Sequence, residues 1–244
     1  MKTTLQKIFA SVAAATAFAL PQVALAADGD TGSLKMTSYA YPSALGFAVT
    51  GHSSVGAGGF NASYDRNFNA PPAATSFVAY CIDLAETFSW NSAFTVTEKA
   101  PSSLFGGFKA GALDRLYTQH FKEVGQAPTA TDRAVKSAAF QLAVWEIVTE
   151  TQPTATYAAF DLGSGSFRVT SGNSTARTTA DTWLDNLGTG QSGAYTLTAL
   201  YSNGHQDQMM ATPVPEPETY MMLLAGLGLM GFVARRRQRQ IAVA

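Results

Sequence analysis

The sequence predicts an α+β fold, a mainly antiparallel and sandwich-like β domain with a two-helix insert, and three observations support this prediction. Segments rich in β-branched and aromatic residues, separated by turn formers, occur on both sides of residues 110–150. Residues 110–150 themselves carry apolar side chains at helical spacing. Both ends of the chain have a short apolar run beside basic residues, as targeting segments do. About 190 residues remain between these ends, enough for one well-buried domain.

The first 26 residues have the organisation of a secretory signal peptide. Lys2 and Lys7 precede an apolar run from Ile8 to Leu20, and the small-residue sequence Ala24-Leu25-Ala26 follows it. We expect this segment to form a signal helix and to be cut near Ala26 or Ala27. The alternative, a transmembrane anchor, requires a longer apolar run without a cleavage site. The mature protein is therefore predicted to be exported.

The strands are expected in four segments of the mature chain. Each segment combines β-branched or aromatic residues with flanking turn formers. They are residues 32–55, which hold two or three short strands, and residues 77–84, 88–99 and 194–201. The Gly-, Asn- and Pro-rich stretch 56–74 and the polar stretch 164–179 are expected to be loops.

The expected strand at residues 77–84 contains Cys81, the only cysteine of the sequence. An unpaired cysteine in an exported protein is a buried apolar residue, an intermolecular bridge or a reactive group. Strand alternation places Cys81 on one face with Asp83, opposite the more apolar face of Tyr80 and Ile82. The Asp83 carboxylate disfavours a free thiolate, and none of the three histidines lies in a Cys protease signature. A catalytic thiol is therefore not expected.

The helices of the insert are expected at residues 110–121 and 131–150, with a shorter helix at residues 180–187. Thr131 is a suitable cap for the second helix, and Pro153 follows its end.

Gln141 is the unusual residue of the second helix. On a helical projection it lies opposite an arc of charged side chains, Asp132, Lys136, Glu146 and Glu150. The Gln141 carboxamide is thus predicted to point into the fold, where an unpaired amide costs about 1–3 kcal/mol. Something must bond to it, and one possible partner is the backbone of a neighbouring strand.

The sulfur of Cys81 is a second possible partner for Gln141. The pair Tyr80-Cys81 and the string Gln141-Leu142-Ala143-Val144-Trp145 resemble the thioester domains of bacterial surface adhesins, whose motif is Thr-Gln-x-Ala-aliphatic-Trp. Phe140 occupies the position where that family usually has Thr. The resemblance covers residues 77–148 and implies an internal thioester between Cys81 and Gln141, with Asp83 relaying protons and Trp145 excluding water. Plain structural roles for Asp83, as a turn acceptor, and Trp145, as a core ring, remain open.

The C-terminal residues 213–244 are predicted to be a sorting segment, which leaves residues 27–212 for the domain. An apolar run from Tyr220 to Ala234 precedes an Arg cluster, Arg235, Arg236, Arg237 and Arg239. The run is shorter than the ~20 residues of a stable span, so we expect a short transmembrane helix that holds the protein temporarily. The arginines are expected on the cytoplasmic side.

The sorting segment also contains Pro215-Glu216-Pro217 just before its apolar run. This order of motif, hydrophobic segment and Arg cluster resembles the PEP-CTERM sorting signal. The resemblance implies processing by a membrane peptidase, an exosortase, and release to the cell surface or extracellular matrix of a Gram-negative bacterium that makes exopolysaccharide.

Two functions are open at this stage. The first is a covalent adhesin that binds an amine- or hydroxyl-bearing target through Gln141. The second is a non-catalytic component of the exopolysaccharide or biofilm matrix, in which Cys81 and Gln141 are plain core residues. The sequence shows no Ser/His/Asp, zinc or paired-carboxylate signature, so we expect no enzymatic turnover, metal or cofactor. A formal net charge of −1 with 14% charged residues predicts no nucleic acid partner.

Overall fold

The computed structural model of the protein describes residues 29–66, 74–151, 156–215 and 222–231. The predicted signal peptide lies outside the described residues, as do Glu216, Pro217 and the four arginines of the tail.

Nine β-strands lie within the described residues and form two antiparallel sheets. Their bounds are β1 (Thr31–Tyr39), β2 (Leu45–Val49), β3 (His52–Ala57), β4 (Phe60–Arg66), β5 (Thr75–Cys81), β6 (Ala93–Lys99), β7 (Val169–Gly172), β8 (Tyr195–Tyr201) and β9 (Gln208–Pro213). Six strands close a barrel in the order β1-β4-β5-β9-β8-β6, and the other three form a sheet in the order β3-β2-β7. The predicted antiparallel pairing is confirmed.

The barrel replaces the sandwich-like arrangement expected from the sequence. Leu34 on β1 lies opposite Tyr64 on β4 and also opposite Phe94 on β6, so β1 has a neighbour on both sides. On the far side β9 pairs with both β5 and β8 and thereby completes the ring. The sandwich prediction was wrong because alternating strands fit both architectures, and closure depends on which edges meet.

Four α-helices lie in the described part of residues 100–190: α1 (Pro101–Leu116), α2 (Lys122–Gln126), α3 (Ala130–Thr149) and α4 (Ser174–Asn186). A π-helical turn, Tyr117–Phe121, joins α1 to α2. The predicted insert is present, but α1 begins at Pro101 because proline suits the first turn of a helix, and Gly106, with a φ of 78°, kinks it. The cap of α3 is Thr129 and not Thr131, since the Thr129 hydroxyl accepts a hydrogen bond from the Asp132 N–H at 3.0 Å.

Helix α3 packs against the barrel at strand β5. The Phe140 ring lies 4.6 Å from the ring of Tyr80, centroid to centroid, and Ser137 Oγ accepts a hydrogen bond from the Gly59 N–H at 2.8 Å. A Cβ at Gly59 would lie only 2.9 Å from the Tyr80 ring, so this close approach requires glycine. Gln141 follows Ser137 by one helical turn, and the packing therefore brings it to the end of β5.

Two segments expected to be loops form regular structure. Residues 56–74 contain the end of β3 and all of β4, whose side chains alternate between buried and more exposed positions; residues 67–73 lie outside the described residues. Residues 164–179 contain β7 and the first turns of α4, which begins at Ser174 rather than near residue 180. Strand β9 was not predicted at all. Glycine and polar residues dominate residues 56–74 and 164–179, and that composition hid the alternation of the strands within them.

The tail is described only at residues 222–231, which are helical. Several apolar side chains of this helix are exposed, among them Met222, Leu224 and Leu229. In the part of the chain that the structure describes, no helix is both long and apolar enough to cross a membrane. The transmembrane helix expected at Tyr220–Ala234 extends beyond the described residues and stays a prediction.

Candidate functional site

Gln141 and Cys81 lie next to each other in the core, as the sequence predicted. The Cys81 N–H donates a hydrogen bond to Gln141 Oε1 at 2.9 Å, and Gln141 Nε2 donates to the Cys81 carbonyl oxygen at 2.7 Å. The side-chain carbonyl carbon of Gln141 lies between its oxygen and nitrogen and is therefore held against the Cys81 backbone. Cys81 is 1% exposed and Gln141 is 0% exposed, so water does not compete for these bonds.

The end of strand β5 has an unpaired backbone edge that accepts the glutamine. Pairing between β4 and β5 stops at Phe60 and Ala79, and β9 occupies the opposite edge, where the Ile82 N–H donates to the Asp207 carbonyl oxygen at 3.0 Å. The Cys81 N–H and C=O therefore face α3 rather than a strand. Gln141 takes the place of the missing strand residue and satisfies both groups, which are costly to leave unpaired when buried.

The Cys81 sulfur is buried among groups that oppose its ionisation. Burial raises the pKa of the Cys81 thiol to about 12, and the carboxylates of Asp83 and Asp207 add to the rise. The thiol donates to the Asp83 carbonyl oxygen, and the Asp83 N–H lies 3.3 Å from the sulfur. The Trp145 indole N–H opposes part of this rise in pKa. The thiol is therefore protonated at neutral pH, as the sequence suggested when it excluded a protease-type thiolate.

Asp83 does not share a strand face with Cys81, because β5 ends at Cys81. The Asp83 carboxylate instead accepts hydrogen bonds from the backbone N–H groups of Ala85, at 2.7 Å, and Glu86, at 3.2 Å. These contacts define a turn directly after the strand. The prediction that Cys81 lies on a less apolar face was also wrong. Tyr80, Cys81 and Ile82 are all buried, because one side of β5 meets helices and the other faces the barrel interior.

Two buried polar atoms near the cysteine make no hydrogen bond of ordinary geometry. One is the Trp145 indole nitrogen on α3, one turn after Gln141, and the other is Gln208 Oε1 on β9. Gln208 is fully buried and lies directly opposite Cys81 in the β5–β9 ladder. Sequence reasoning missed Gln208 because β9 was not predicted. Unpaired buried groups are uncommon in cores, so this pair marks a site with unused hydrogen-bonding capacity.

Only the first half of the charged arc of α3, at Asp132 and Lys136, reaches solvent. Glu146 and Glu150 are both buried, because residues 160–167 fold back over them after a short 3₁₀ helix at residues 157–159. Glu146 Oε1 accepts from the Asp161 N–H at 3.1 Å, and Glu150 Oε2 accepts from the Ser166 N–H at 2.8 Å. Burial raises the pKa of Glu146 to about 8. The projection placed Gln141 correctly but was wrong about these two residues, since both sides of α3 are covered.

Two connecting loops cover Cys81 on its solvent side. The loop between β5 and β6 contains Glu86, whose carboxylate accepts from the Gly204 N–H at 3.2 Å, while the Gln206 N–H donates to the Thr87 carbonyl oxygen at 3.2 Å. These hydrogen bonds join the loop between β5 and β6 to the loop between β8 and β9.

Other parts of the described surface offer less chemistry. Among the described residues, no group of three or more His, Cys, Asp or Glu side chains is arranged to hold a metal ion. A depression of about 750 Å³ lies between Thr118, Lys122, residues 191–195 and residues 213–215, where β9 leads into the tail. It contains neither Cys81 nor Gln141. Pro215, the first sorting residue, is exposed there.

Comparison with known proteins supports the sorting signal. Residues 213–237 match the PEP-CTERM protein-sorting motif, and this match confirms the motif predicted from Pro215, Glu216, Pro217 and the arginines that follow. The motif indicates an exported protein that is sorted by an exosortase. No curated protein and no solved structure matches the chain. The matched segment does not reach residues 77–148, so the thioester resemblance stays a prediction.

Proposed function

We propose that this exported protein captures a partner covalently through an internal thioester between the Cys81 sulfur and the side-chain carbonyl carbon of Gln141. The observation that carries the proposal is the Gln141 carboxamide, which two hydrogen bonds hold against Cys81 in a site without solvent. Capture is a single event and not a turnover, so the protein is not an enzyme in this proposal, and it uses no cofactor.

Formation of the thioester requires a nucleophilic sulfur and a polarised carbonyl. The Cys81 N–H donates to Gln141 Oε1, and a donor at this oxygen stabilises the negative charge that develops when sulfur adds to the carbon. The S–C bond forms, the C–N bond breaks, and the thiol proton leaves with the amide nitrogen as ammonia. Asp83 is suited to relay that proton only if its carboxylate leaves the turn that it now supports.

Capture reverses the roles of these groups. An amine or hydroxyl of the partner attacks the carbonyl carbon, the acyl group passes to the partner, and the nucleophile's proton returns to the Cys81 sulfur. The buried Cys81 thiolate has a high pKa and is therefore a poor leaving group, which slows hydrolysis of the thioester by water. The Trp145 N–H, which has no other partner, is placed to stabilise the sulfur as it leaves. Its ring also helps to exclude water.

The alternative function is a non-catalytic component of an exopolysaccharide or biofilm matrix. One observation favours it: Gln141 pairs with the Cys81 backbone in the way that a plain core glutamine pairs with a strand. In both functions we propose the same route to the outside. The short apolar segment holds the protein in the inner membrane, an exosortase removes it, and the domain reaches the cell surface or matrix of a Gram-negative bacterium.

Intact-mass measurement of the mature protein, purified without amines, tests the thioester. We expect a mass lower than that of the sequence by one ammonia, and no deficit in Cys81→Ala or Gln141→Ala. Gln119→Ala, which removes an amide far from Cys81 in sequence, is the matched control and should keep the deficit. Methylamine should convert the deficit into a methylamide on Gln141 and release one thiol. Full sequence mass with a reactive Cys81 in untreated protein would favour the matrix component instead.

A further inference from the structure

Four aromatic rings form a cluster at the end of the barrel where β5 ends, with Phe60 opposite Ala79 in the β4–β5 ladder. Trp90 lies 5.0 Å from Tyr39 and 4.9 Å from Phe88, and Phe60 lies 5.5 Å from Tyr39, all between ring centroids. Phe60 is buried and anchors the cluster in the core, whereas Trp90 is 42% exposed and Tyr39 is 38% exposed. The two outer rings thus share a base that fixes them next to each other.

The backbone displays Trp90 in one orientation. The Ser92 N–H donates to the Ser89 carbonyl oxygen across a tight turn, and the Asn91 N–H donates to the Met36 carbonyl oxygen at 2.8 Å. Asn91 has a φ of 59°, in the left-handed region that few residues other than glycine adopt. Asparagine suits a positive φ at the third position of a turn, so the sequence favours this turn beside Trp90. A large ring held outward in this way loses little conformational entropy on binding.

The three segments that carry the exposed rings and their neighbours are polar but contain no charged residue. The segments 37–40, 60–63 and 87–92 contain no Asp, Glu, Lys, Arg or His, whereas charged residues make up 14% of the chain. Asn61 Nδ2 donates to Ser38 Oγ at 3.0 Å and to the Tyr39 carbonyl oxygen at 3.2 Å, and Thr37 Oγ1 donates to the Asn61 carbonyl oxygen. These bonds fix amide and hydroxyl groups beside the Tyr39 ring.

We propose that this surface, formed by Tyr39 and Trp90 with the neutral rim of Ser38, Asn61 and Asn91, binds a neutral saccharide chain. The negative face of an aromatic ring attracts the polarised C–H groups on the flat side of a sugar ring. Sugar hydroxyls are both donors and acceptors, and amides and hydroxyls on the protein match them. A polyanion would find no cation on these segments, and the segments also lack the arginine that is enriched in protein hot spots. The proposal does not depend on the thioester.

Binding of two neutral β-linked glucans, cellohexaose and laminarin, to the mature exported protein tests this proposal. Titration calorimetry is combined with tryptophan fluorescence, because Trp90 is exposed while Trp145 and Trp183 are buried. We expect at least one glucan to bind and alginate, a polyanion, to bind more weakly. Trp90→Ala should weaken glucan affinity about tenfold or more, as expected for loss of an aromatic anchor, and Trp90→Phe should lie between it and the wild type.

The matched control is Tyr201→Ala on β8, which removes a ring that packs under Lys99 outside this surface and should leave the affinity unchanged. Circular dichroism of each variant verifies that the fold is retained. Three results would overturn the proposal: neither glucan binds the wild-type protein, Trp90→Ala and Trp90→Phe bind as tightly as the wild type, or Tyr201→Ala loses as much affinity as Trp90→Ala.

Discussion

Replacing Gln141 with leucine measures what the carboxamide contributes to the fold. The substitution removes the hydrogen bonds of 2.9 and 2.7 Å and leaves the Cys81 N–H and C=O buried without a partner. Each orphaned backbone group costs about 1–3 kcal/mol, and burial of the leucine returns about 1–2 kcal/mol. With mid-range values of about 4 kcal/mol for the two groups and about 1.5 kcal/mol for the leucine, loss of the hydrogen bonds alone should lower the free energy of unfolding by about 2–3 kcal/mol.

Cys81→Ala provides a background in which no thioester can form. Both hydrogen bonds use the backbone of residue 81 and not its sulfur, so Gln141→Leu should cost about 2–3 kcal/mol in this background. The cost in the wild type is larger only if a thioester is lost as well. A thioester in the wild type would close a loop across a separation of 60 residues, which a chain-entropy estimate values at about 4 kcal/mol. The coupling energy of the double-mutant cycle is thus about 4 kcal/mol with the covalent bond and below about 0.5 kcal/mol without it.

Urea unfolding of the four proteins, followed by far-ultraviolet circular dichroism, gives all these energies. Gln119→Leu is the control, because Gln119 also donates to backbone carbonyls, at 3.4 and 3.2 Å, but at a partly exposed position; we expect it to cost less than about 1 kcal/mol. A loss below about 0.5 kcal/mol for Gln141→Leu in the Cys81→Ala background would refute the inference that buried hydrogen bonds hold these residues together.

Three further predictions concern the tail and two buried acids. Replacing the sorting residues with Ala should leave the protein in the membrane fraction; release at the wild-type rate would contradict the exosortase route. Arg66→Met should cost about 2–3 kcal/mol in urea unfolding, because it leaves the fully buried Glu98 carboxylate, 2.6 Å from Arg66 Nε, with only the Tyr64 hydroxyl as a side-chain donor; a cost below that of an exposed ion pair would exclude this role. Glu146 has its folded pKa raised from 4.5 to about 8, so stability should fall as pH rises through this window. Glu146→Gln should flatten that fall and Asp185→Asn, at an exposed position, should not, as measured by thermal unfolding.

The burial of Gln141 was predictable because an α-helix has a fixed period, and a polar residue opposite several charged ones must point inward. Its pairing with Cys81 was foreseen from the local motif and not from the topology. The same projection misplaced Glu146 and Glu150, since helical period cannot tell that a distant segment will cover the second face. That covering segment comes from residues 160–167, and its backbone N–H groups donate one hydrogen bond to each of the two carboxylates.

The barrel and Gln208 escaped prediction for a different reason. Closure of the barrel depends on β9, a strand of six residues that follows a turn-rich loop and leads directly into the sorting segment. Without β9 the partner of β5 is missing, and so is the residue that lies opposite Cys81. Strand pairing over more than a hundred residues leaves no local signal in the sequence, whereas the period of a single helix does.

Burial places two opposing requirements on the Cys81–Gln141 site. A thioester survives in water only where solvent is excluded, and both side chains meet that condition. Capture, however, requires a partner's nucleophile to reach the Gln141 carbonyl carbon, so the cover must open. The loop between β5 and β6 is joined to the loop between β8 and β9 by contacts of Glu86 with Gly204 and of Thr87 with Gln206, each near 3.2 Å. Because these hydrogen bonds are few, breaking them costs little free energy. Asp83, Glu86 and Asp207 lie close enough at this entrance for burial and mutual repulsion to raise the pKa of Asp207 to about 6. In the proposed capture this negative charge attracts an alkylammonium group, which loses a proton before it attacks, more than a neutral hydroxyl. Opening of these loops would then set the rate of capture.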